Sequence, residues 1–375
     1  MKVGFFIDKS QTVQSVLALI RECQSRGYDC DIFSTCKWQS LVSIPKIGIE
    51  LESVNWMTFK DRHQIKSEII KNHSKYRFLI GINMFNNIWR EIYEKSEYSN
   101  IYAVEYCWNE IYNGRTDYAG SATLFSNSDW SKDTIKNLTG YSKVQSLGSP
   151  WFEIISDFKK LNIKEDNEII TFMAPHNSFV SNYEGFLDDV KIFLSELREF
   201  CNRNGYSLIL KSRAKYLSYH DYHNFVDFDG YLYDNNIISH LSLYKTSKCV
   251  FNFCSSAVNE LSILQTPYVC LFSDMHANLH KSRENLFKAM DPINKKYYSG
   301  AIFDGVHCKS INRGDTSDKS EFRLRMRAEL DKTLDLINRE DRDWDKFQER
   351  YFSKDSTGAS SRIIDFIEKE CPEIK

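Results

Sequence analysis

Short apolar runs and helical repeats alternate along the first part of the chain. Consecutive apolar residues are typical of buried parallel strands, whereas apolar residues three or four positions apart indicate helices. Strands are predicted at 3–7, 30–33, 77–82, 100–105 and 122–126, and helices at 13–23, 65–72, 88–95 and 129–138. This alternation predicts a parallel sheet with right-handed crossovers.

The same alternation starts again after a break. Leu147-Gly148-Ser149-Pro150 interrupts the pattern, and residues 157–167 are charged and weakly periodic. Strands are then predicted at 169–174, 206–210, 249–253 and 267–272, and helices at 186–204, 235–245, 256–264, 321–337, 344–351 and 360–368. We therefore predict an α/β fold with two Rossmann-like domains closed by C-terminal helices. The boundaries are 1–150 for the first domain, 151–168 for a linker, 169–350 for the second domain and 351–375 for the C-terminal segment.

Composition narrows the classes of function. The length of 375 residues suits two domains, and the net charge of −2 gives no electrostatic footprint for DNA or RNA. The ten cysteines are scattered without a Cys-x-x-Cys pair, and no apolar run approaches the ~18 residues of a membrane span. The N-terminus reads as a first strand and not as a signal peptide. We expect a cytoplasmic protein whose cysteines are reduced. Contact with the inner face of a membrane remains an open alternative.

The segment from Cys249 to Pro267 carries the clearest chemistry. A predicted buried strand ends just before Ser255 and Ser256, which stand at the start of a predicted helix. The hydroxyls and backbone amides of these serines can donate hydrogen bonds to phosphate oxygens. Glu260 follows one turn later, where a carboxylate can accept hydrogen bonds from a ribose diol. The alternative is plain helix capping by the serines and a solvated Glu260.

Other candidates lie where predicted strands end. Lys211 and Arg213 end the strand 206–210, where two cations would neutralise a pyrophosphate, unless they only end a solvated loop. His176 also follows a strand and could bind phosphate or protonate a leaving group, although histidines at strand ends are often capping groups. We predict that Ser255, Ser256, Glu260, Lys211 and Arg213 bind the donor.

A group transfer to a hydroxyl needs a base that accepts the hydroxyl proton. Glu105 follows the strand 100–105, and Glu110 and Asp117 lie in the loop beyond it. Glu105 is the best placed of the three, and Asp8 at the end of the first strand is the next candidate. We predict catalytic roles for Glu105, Asp8 and His176.

The sequence offers no distinctive metal site. Asp227-Phe228-Asp229 has the Asp-x-Asp pattern, but the same pattern recurs elsewhere in the chain, at Asp29/Asp31 among other positions. The His276/His280 pair lacks an obvious third ligand. We therefore expect a reaction that needs neither metal nor cofactor.

Four stretches resemble one superfamily. Ser255-Ser256 with Glu260 and Pro267 resembles the donor-site motif of GT-B-type glycosyltransferases and their epimerase and CDP-glycerol transferase relatives. Residues 147–152 resemble the segment that ends the N-terminal domain, and residues 352–363 resemble the segment whose helix crosses back onto that domain. Residues 124–131 are similar to surface-polysaccharide transferases. Gln265 stands where Gly is usual, and no Gly-rich loop follows the first strand, so the resemblance does not specify the donor.

The resemblance implies two domains that face each other across a cleft. It implies a serine turn that holds donor phosphates and an acidic residue that holds the ribose or sugar. The expected function is metal-independent, inverting transfer of an activated sugar, nucleotide-linked by default, to a glycan or lipid-linked glycan of a bacterial capsule or lipopolysaccharide. A polyol-phosphate transferase, a nucleotide-sugar epimerase and a non-catalytic nucleotide- or glycan-binding subunit remain alternatives.

Overall fold

The structure is a computed structural model in which the chain divides into two compact units. The first unit comprises Met1–Leu161 and Gln348–Lys375, and the second comprises Asn162–Phe347. The structure describes residues 1–7, 13–35, 47–49, 51, 54–82, 91–92, 94–96, 98–105, 122–139, 141, 143–163, 168–174, 186–211, 222–229, 237–252, 257–272, 308–310, 318–338, 344–353 and 357–371.

The first unit is built on a parallel sheet. Its described elements, in chain order, are β1 (Lys2–Ile7), α1 (Leu17–Ser25), β2 (Asp29–Ser34), β3 (Asn55–Thr58), α2 (Arg62–Asn72), β4 (Tyr76–Ile82), β5 (Ile101–Val104), β6 (Thr123–Ser126), α3 (Asp129–Thr139), β7 (Val144–Ser146) and α4 (Pro150–Lys159). The seven strands lie in the order β3-β2-β1-β4-β5-β6-β7, and every pairing is parallel. All of their carboxyl ends therefore lie at one edge of the sheet.

The second unit repeats this plan. It contains β8 (Ile169–Met173), α5 (Phe186–Asn204), β9 (Ser207–Lys211), β10 (Phe228–Asp229), α6 (Ile237–Thr246), β11 (Cys249–Asn252), α7 (Val258–Leu264), β12 (Tyr268–Phe272), β13 (Cys308–Ser310) and α8 (Lys319–Ile337). The strand order is β10-β9-β8-β11-β12-β13, again all parallel. The strand order reverses between β8 and β11, which is where ligands bind in sheets of this kind.

The chain ends in two helices, α9 (Trp344–Phe352) and α10 (Ala359–Glu370). Helix α10 packs into the first unit through buried Ile363, Ile364 and Ile367. Its Ser360 N–H donates to Glu153 of α4 at 3.0 Å. This apolar face ties the last residues of the chain to the first unit.

The predicted α/β class with two Rossmann-like halves is confirmed. The structure differs at the predicted linker 151–168, because Pro150–Lys159 forms α4, which belongs to the first unit. Ser149 accepts the Phe152 N–H at 3.3 Å and caps this helix, and Pro150 occupies its first turn. A serine followed by proline is a helix start as well as a break.

Candidate functional site

Glu105 lies at the carboxyl edge of the first sheet, directly after β5. Its N–H donates to the Phe125 carbonyl of the neighbouring strand β6 at 2.9 Å. Helix α3 follows β6 at the same edge. Ser128 caps α3 by accepting the Ser131 N–H at 3.1 Å, as the sequence predicted for a helix that starts there. The strand end and the helix start therefore bring Glu105 beside the first turn of α3.

One oxygen of Glu105 is held by two donors. The Asn127 N–H and the Ser131 hydroxyl each donate to Oε2 at 2.7 Å. The Glu105 side chain is almost fully buried, at 1% exposure, and Ser131 is 0% exposed. Asn127 and Ser131 lie in the stretch 124–131 that resembles surface-polysaccharide transferases, but nothing in the sequence linked either residue to Glu105.

The other oxygen of Glu105, Oε1, is buried and has no hydrogen-bond partner within the described part of the chain. Burial raises the pKa of Glu105 from the ordinary 4.5 to about 7, while the hydrogen bonds from Ser131 and Asn127 act in the opposite direction. A carboxyl group that titrates near neutral pH at a strand end can both accept and release a proton during a reaction.

We expect wild-type protein to lose stability between pH 5 and pH 7, relative to the Glu105→Gln variant. In this window the folded state holds a proton on Glu105 that the unfolded chain has released, because the folded pKa is raised to about 7. Stability then falls as the pH rises, by about 2 kcal/mol over these two pH units, and levels off once the pH exceeds the folded pKa. Urea unfolding of both proteins across the pH range measures this difference. Parallel stability curves for the two proteins would mean that the folded-state pKa of Glu105 is ordinary.

In the second unit, Lys211 is a buried cation at the end of β9. It is 7% exposed, and its Nζ lies 5.7 Å from the centroid of the Tyr244 ring. Its carbonyl accepts the Ala174 N–H at 3.0 Å, where the chain leaves β8. Lys211 therefore lies one strand from the point where the strand order of this sheet reverses.

Glu260 lies in the first turn of α7, which follows β11. Its side chain is half-buried. The helix is described from Val258, two positions later than the predicted start at Ser256, with Ala257 before it. Glu260 thus follows β11 and Lys211 ends β9, and these two strands lie on either side of β8.

The remaining predicted site residues lie outside the described residues: Asp8, His176, Arg213, Ser255 and Ser256. Their roles stay predictions. Of the predicted residues that are described, Glu105 belongs to the first unit, and Lys211 and Glu260 belong to the second.

Asp227, the first residue of the discounted Asp-x-Asp pattern, takes part in hydrogen bonds within the second unit. It accepts the Leu208 N–H at 2.8 Å and an Arg198 guanidinium N–H at 2.8 Å. Among the described residues, no group of three or more His, Cys, Asp or Glu side chains could hold a metal ion. No helix in the part of the chain that the structure describes is long and apolar enough to cross a membrane.

No protein-family model matches this sequence, and no curated protein matches it. Solved structures do. A putative UDP-N-acetylglucosamine 2-epimerase from Listeria monocytogenes is similar with a TM-score of 0.64 and 12% identity, covering 100% of this chain and 97% of its own. The UDP-GlcNAc 2-epimerase from Methanocaldococcus jannaschii has a TM-score of 0.63 and 10% identity, covering 98% of this chain and 100% of its own. The wall teichoic acid polymerase TagF has a TM-score of 0.55 and 14% identity, covering 98% of this chain and 89% of its own.

This likeness concerns the fold, because the identities are 10% to 14%. It extends over nearly the whole chain, including both parallel sheets. The chain therefore has a GT-B-type fold, as the sequence resemblance implied. Fold alone does not determine the reaction, which has to be argued from the site.

Proposed function

We propose that this protein is a metal-independent glycosyltransferase. In this proposal it moves a sugar from a nucleotide-linked donor to a hydroxyl of a growing bacterial surface glycan. The observation that carries the proposal is the buried Glu105 carboxyl at the carboxyl edge of the first sheet, with Oε1 unpartnered among the described residues. A transfer to a hydroxyl needs one base that takes the hydroxyl proton.

In the proposed reaction, Glu105 Oε1 takes the proton of the acceptor hydroxyl. The acceptor oxygen forms a bond to the anomeric carbon of the donor sugar. At the same time, the bond from that carbon to the phosphate oxygen breaks, and the nucleotide leaves with the electron pair. Attack from the side opposite the leaving group inverts the anomeric configuration. The proton on Glu105 returns to solvent, and the carboxylate is regenerated.

The second unit binds the donor in this proposal. Lys211 and Arg213 neutralise the donor phosphates, Ser255 and Ser256 donate hydrogen bonds to them, and Glu260 accepts from the ribose or sugar hydroxyls. The position of Lys211 supports this assignment, because it ends β9 at the carboxyl edge of the second sheet, one strand from the point where the strand order reverses. His176 is the proposed donor of a proton to the leaving group, and Asp8 is the alternative base.

The acceptor in this proposal is a glycan or a lipid-linked glycan of a capsule or lipopolysaccharide. We place the reaction in the cytoplasm, with the acceptor reached at the inner face of the membrane. Support comes from the sequence stretches that resemble surface-polysaccharide transferases and from the similar teichoic acid polymerase.

A nucleotide-sugar epimerase is the second candidate. The similar structures with TM-scores of 0.64 and 0.63 carry that name, which favours it. A carboxyl group with a pKa of about 7 could also remove a proton from a sugar carbon, but inversion needs a second acid group that returns a proton to the opposite face, and the sequence offers no distinctive pair. The wall teichoic acid polymerase TagF is also similar, with a TM-score of 0.55, so polyol-phosphate transfer is a third candidate. The product analysis below tests all three candidates.

Product analysis separates the candidates. We expect UDP-, GDP-, CDP- or CMP-linked sugars to yield free nucleotide and a glycosylated acceptor when a surface-glycan acceptor is present, with the activity unchanged by EDTA. The measurement is mass spectrometry of products formed in D₂O. An acceptor that gains a sugar without carbon-bound deuterium supports the transferase.

Three other outcomes contradict the proposal. An epimerised sugar that carries one deuterium at the inverted carbon identifies an epimerase. A polyol phosphate on the acceptor identifies a polyol-phosphate transferase. Nucleotide binding without any product, detected as a thermal shift, identifies a binding subunit. Loss of activity in EDTA with recovery in manganese or magnesium would contradict metal independence.

A further inference from the structure

We propose that Ser131 is a positioning residue for Glu105. By binding Oε2, the Ser131 hydroxyl fixes the orientation of the carboxylate and its affinity for a proton, so that Oε1 is the oxygen that meets the substrate. The inference rests on the proposed function, in which Glu105 is the base. Ser131 ends the stretch 124–131 that resembles surface-polysaccharide transferases, and that resemblance assigned it no role.

The two donors approach the same carboxylate oxygen from one element. Asn127 precedes α3, and Ser131 lies in its first turn, so both donors are fixed by the start of that helix. Each donates to Oε2 at 2.7 Å. A carboxylate offers about four lone-pair positions. Among the described residues, the lone pairs of Oε1 remain without a partner.

Ser131 is held in place independently of Glu105. Its N–H donates to the Ser128 hydroxyl in the helix cap at 3.1 Å, which leaves its own hydroxyl to point at Glu105. Buried polar atoms in folded proteins are usually hydrogen-bonded. A purely structural role for Ser131 would not explain why, among the described residues, Oε2 accepts two hydrogen bonds and Oε1 accepts none.

The charged groups nearby do not replace these hydrogen bonds. None of them is among the causes that shift the pKa of Glu105. In β5, Tyr102 bonds through its hydroxyl to the Cys371 Sγ at 3.0 Å. The charged residues of the adjoining described elements are Arg77 of β4, Asp129, Lys132, Asp133 and Lys136 of α3, and Arg362, Asp365, Glu368, Lys369 and Glu370 of α10, whose Phe366 ring packs against Phe125 of β6. Among the described residues, the hydroxyl of Ser131 is the side-chain group that lowers the pKa of Glu105, against the larger effect of burial, which raises it.

The test is the Ser131→Ala variant, studied in two ways. Carbon-13 NMR of protein labelled at the glutamate carboxyls follows the titration of Glu105, assigned by comparison with Glu105→Gln. Removing a charge-assisted hydrogen bond is expected to raise the pKa of Glu105 by about one unit. The acid limb of the kcat/KM profile should move upward by the same amount. At pH 7 the rate should fall about fivefold, with recovery at higher pH.

Ser126→Ala is the matched control. Ser126 is equally buried, and its hydroxyl bonds to the Ser128 and Gln145 carbonyls at 3.2 and 3.3 Å without touching Glu105. It should leave the titration of Glu105 unchanged. Ser131→Cys, which keeps the size but donates weakly, serves if the alanine variant folds poorly, and it should raise the pKa by a smaller amount.

The two measurements separate the two proposals. An unchanged Glu105 titration in both Ser131 variants, or an equal shift in Ser126→Ala, overturns the role of Ser131. A raised pKa with an unmoved acid limb supports that role and contradicts the catalytic role of Glu105 in the proposed function. If the pKa of Glu105 rises and the acid limb of the kcat/KM profile moves with it, the result supports both the role of Ser131 and the catalytic role of Glu105.

Discussion

Replacing Glu105 by Gln is expected to lower kcat/KM by about 100- to 10,000-fold, the usual contribution of a general base. The amide cannot accept the hydroxyl proton, yet its carbonyl oxygen can still accept the hydrogen bonds that Asn127 and Ser131 now make to Oε2. The residual activity should lose the acid limb near pH 7 that the wild-type carboxyl imposes, because the pKa of Glu105 is raised to about 7. Initial rates from about pH 5 to pH 9 measure both effects.

Glu196→Gln is a matched control for Glu105→Gln. The Glu196 side chain is equally buried, but it pairs with Arg323 and Arg327 in the second unit, at 3.2 and 2.9 Å. Its loss should lower the melting temperature and leave kcat/KM unchanged while the protein is folded. A Glu105→Gln enzyme that keeps wild-type rates, or that loses activity only by unfolding, would remove Glu105 from the mechanism and make Asp8 the base to test.

The sequence predicted the interior strands of both sheets but none of the four edge strands. The edges are β3 and β7 in the first sheet, and β10 and β13 in the second. They have two to four residues each. An interior parallel strand is covered on both faces and leaves a continuous apolar run, whereas so short an edge strand leaves too few apolar positions to form a pattern.

The position of Glu105 could be predicted from sequence, but its environment could not. A carboxylate at the end of a strand is visible in the pattern of apolar residues. Its partner Ser131 lies 26 positions further along the chain. Only the parallel pairing of β5 with β6 brings α3 beside it. The same limit applies to Lys211, because the sequence left open a ligand of the donor phosphates or the end of a solvated loop, and it did not predict that the residue is only 7% exposed.

Replacing Lys211 by Met is expected to raise the KM for the donor, or its Kd, by about 10- to 100-fold. Hydrogen bonds to charged groups contribute roughly 1.5–3 kcal/mol each, which corresponds to that range. Methionine has a similar length and suits an apolar environment, so it should fill the position beside Tyr244. The KM for the acceptor should stay unchanged, because the proposal assigns the acceptor to the first unit. Kinetics with each substrate varied in turn, and calorimetric titration of the donor nucleotide, measure these effects.

Lys248→Met is the control that distinguishes a donor ligand from a structural cation. Lys248 immediately precedes β11 in the same sheet, and its N–H donates to the Ile169 carbonyl at 2.8 Å. It therefore lies at the amino edge, opposite the edge that Lys211 occupies, and its replacement should not change donor binding. If Lys211 served only the fold, Lys211→Met would lower the melting temperature and leave the affinity for the donor as it is in wild type. Weakened donor binding at an unchanged melting temperature is the result expected of a cation that binds the phosphates, because a ligand contact is not needed to build the core around β8 and β9.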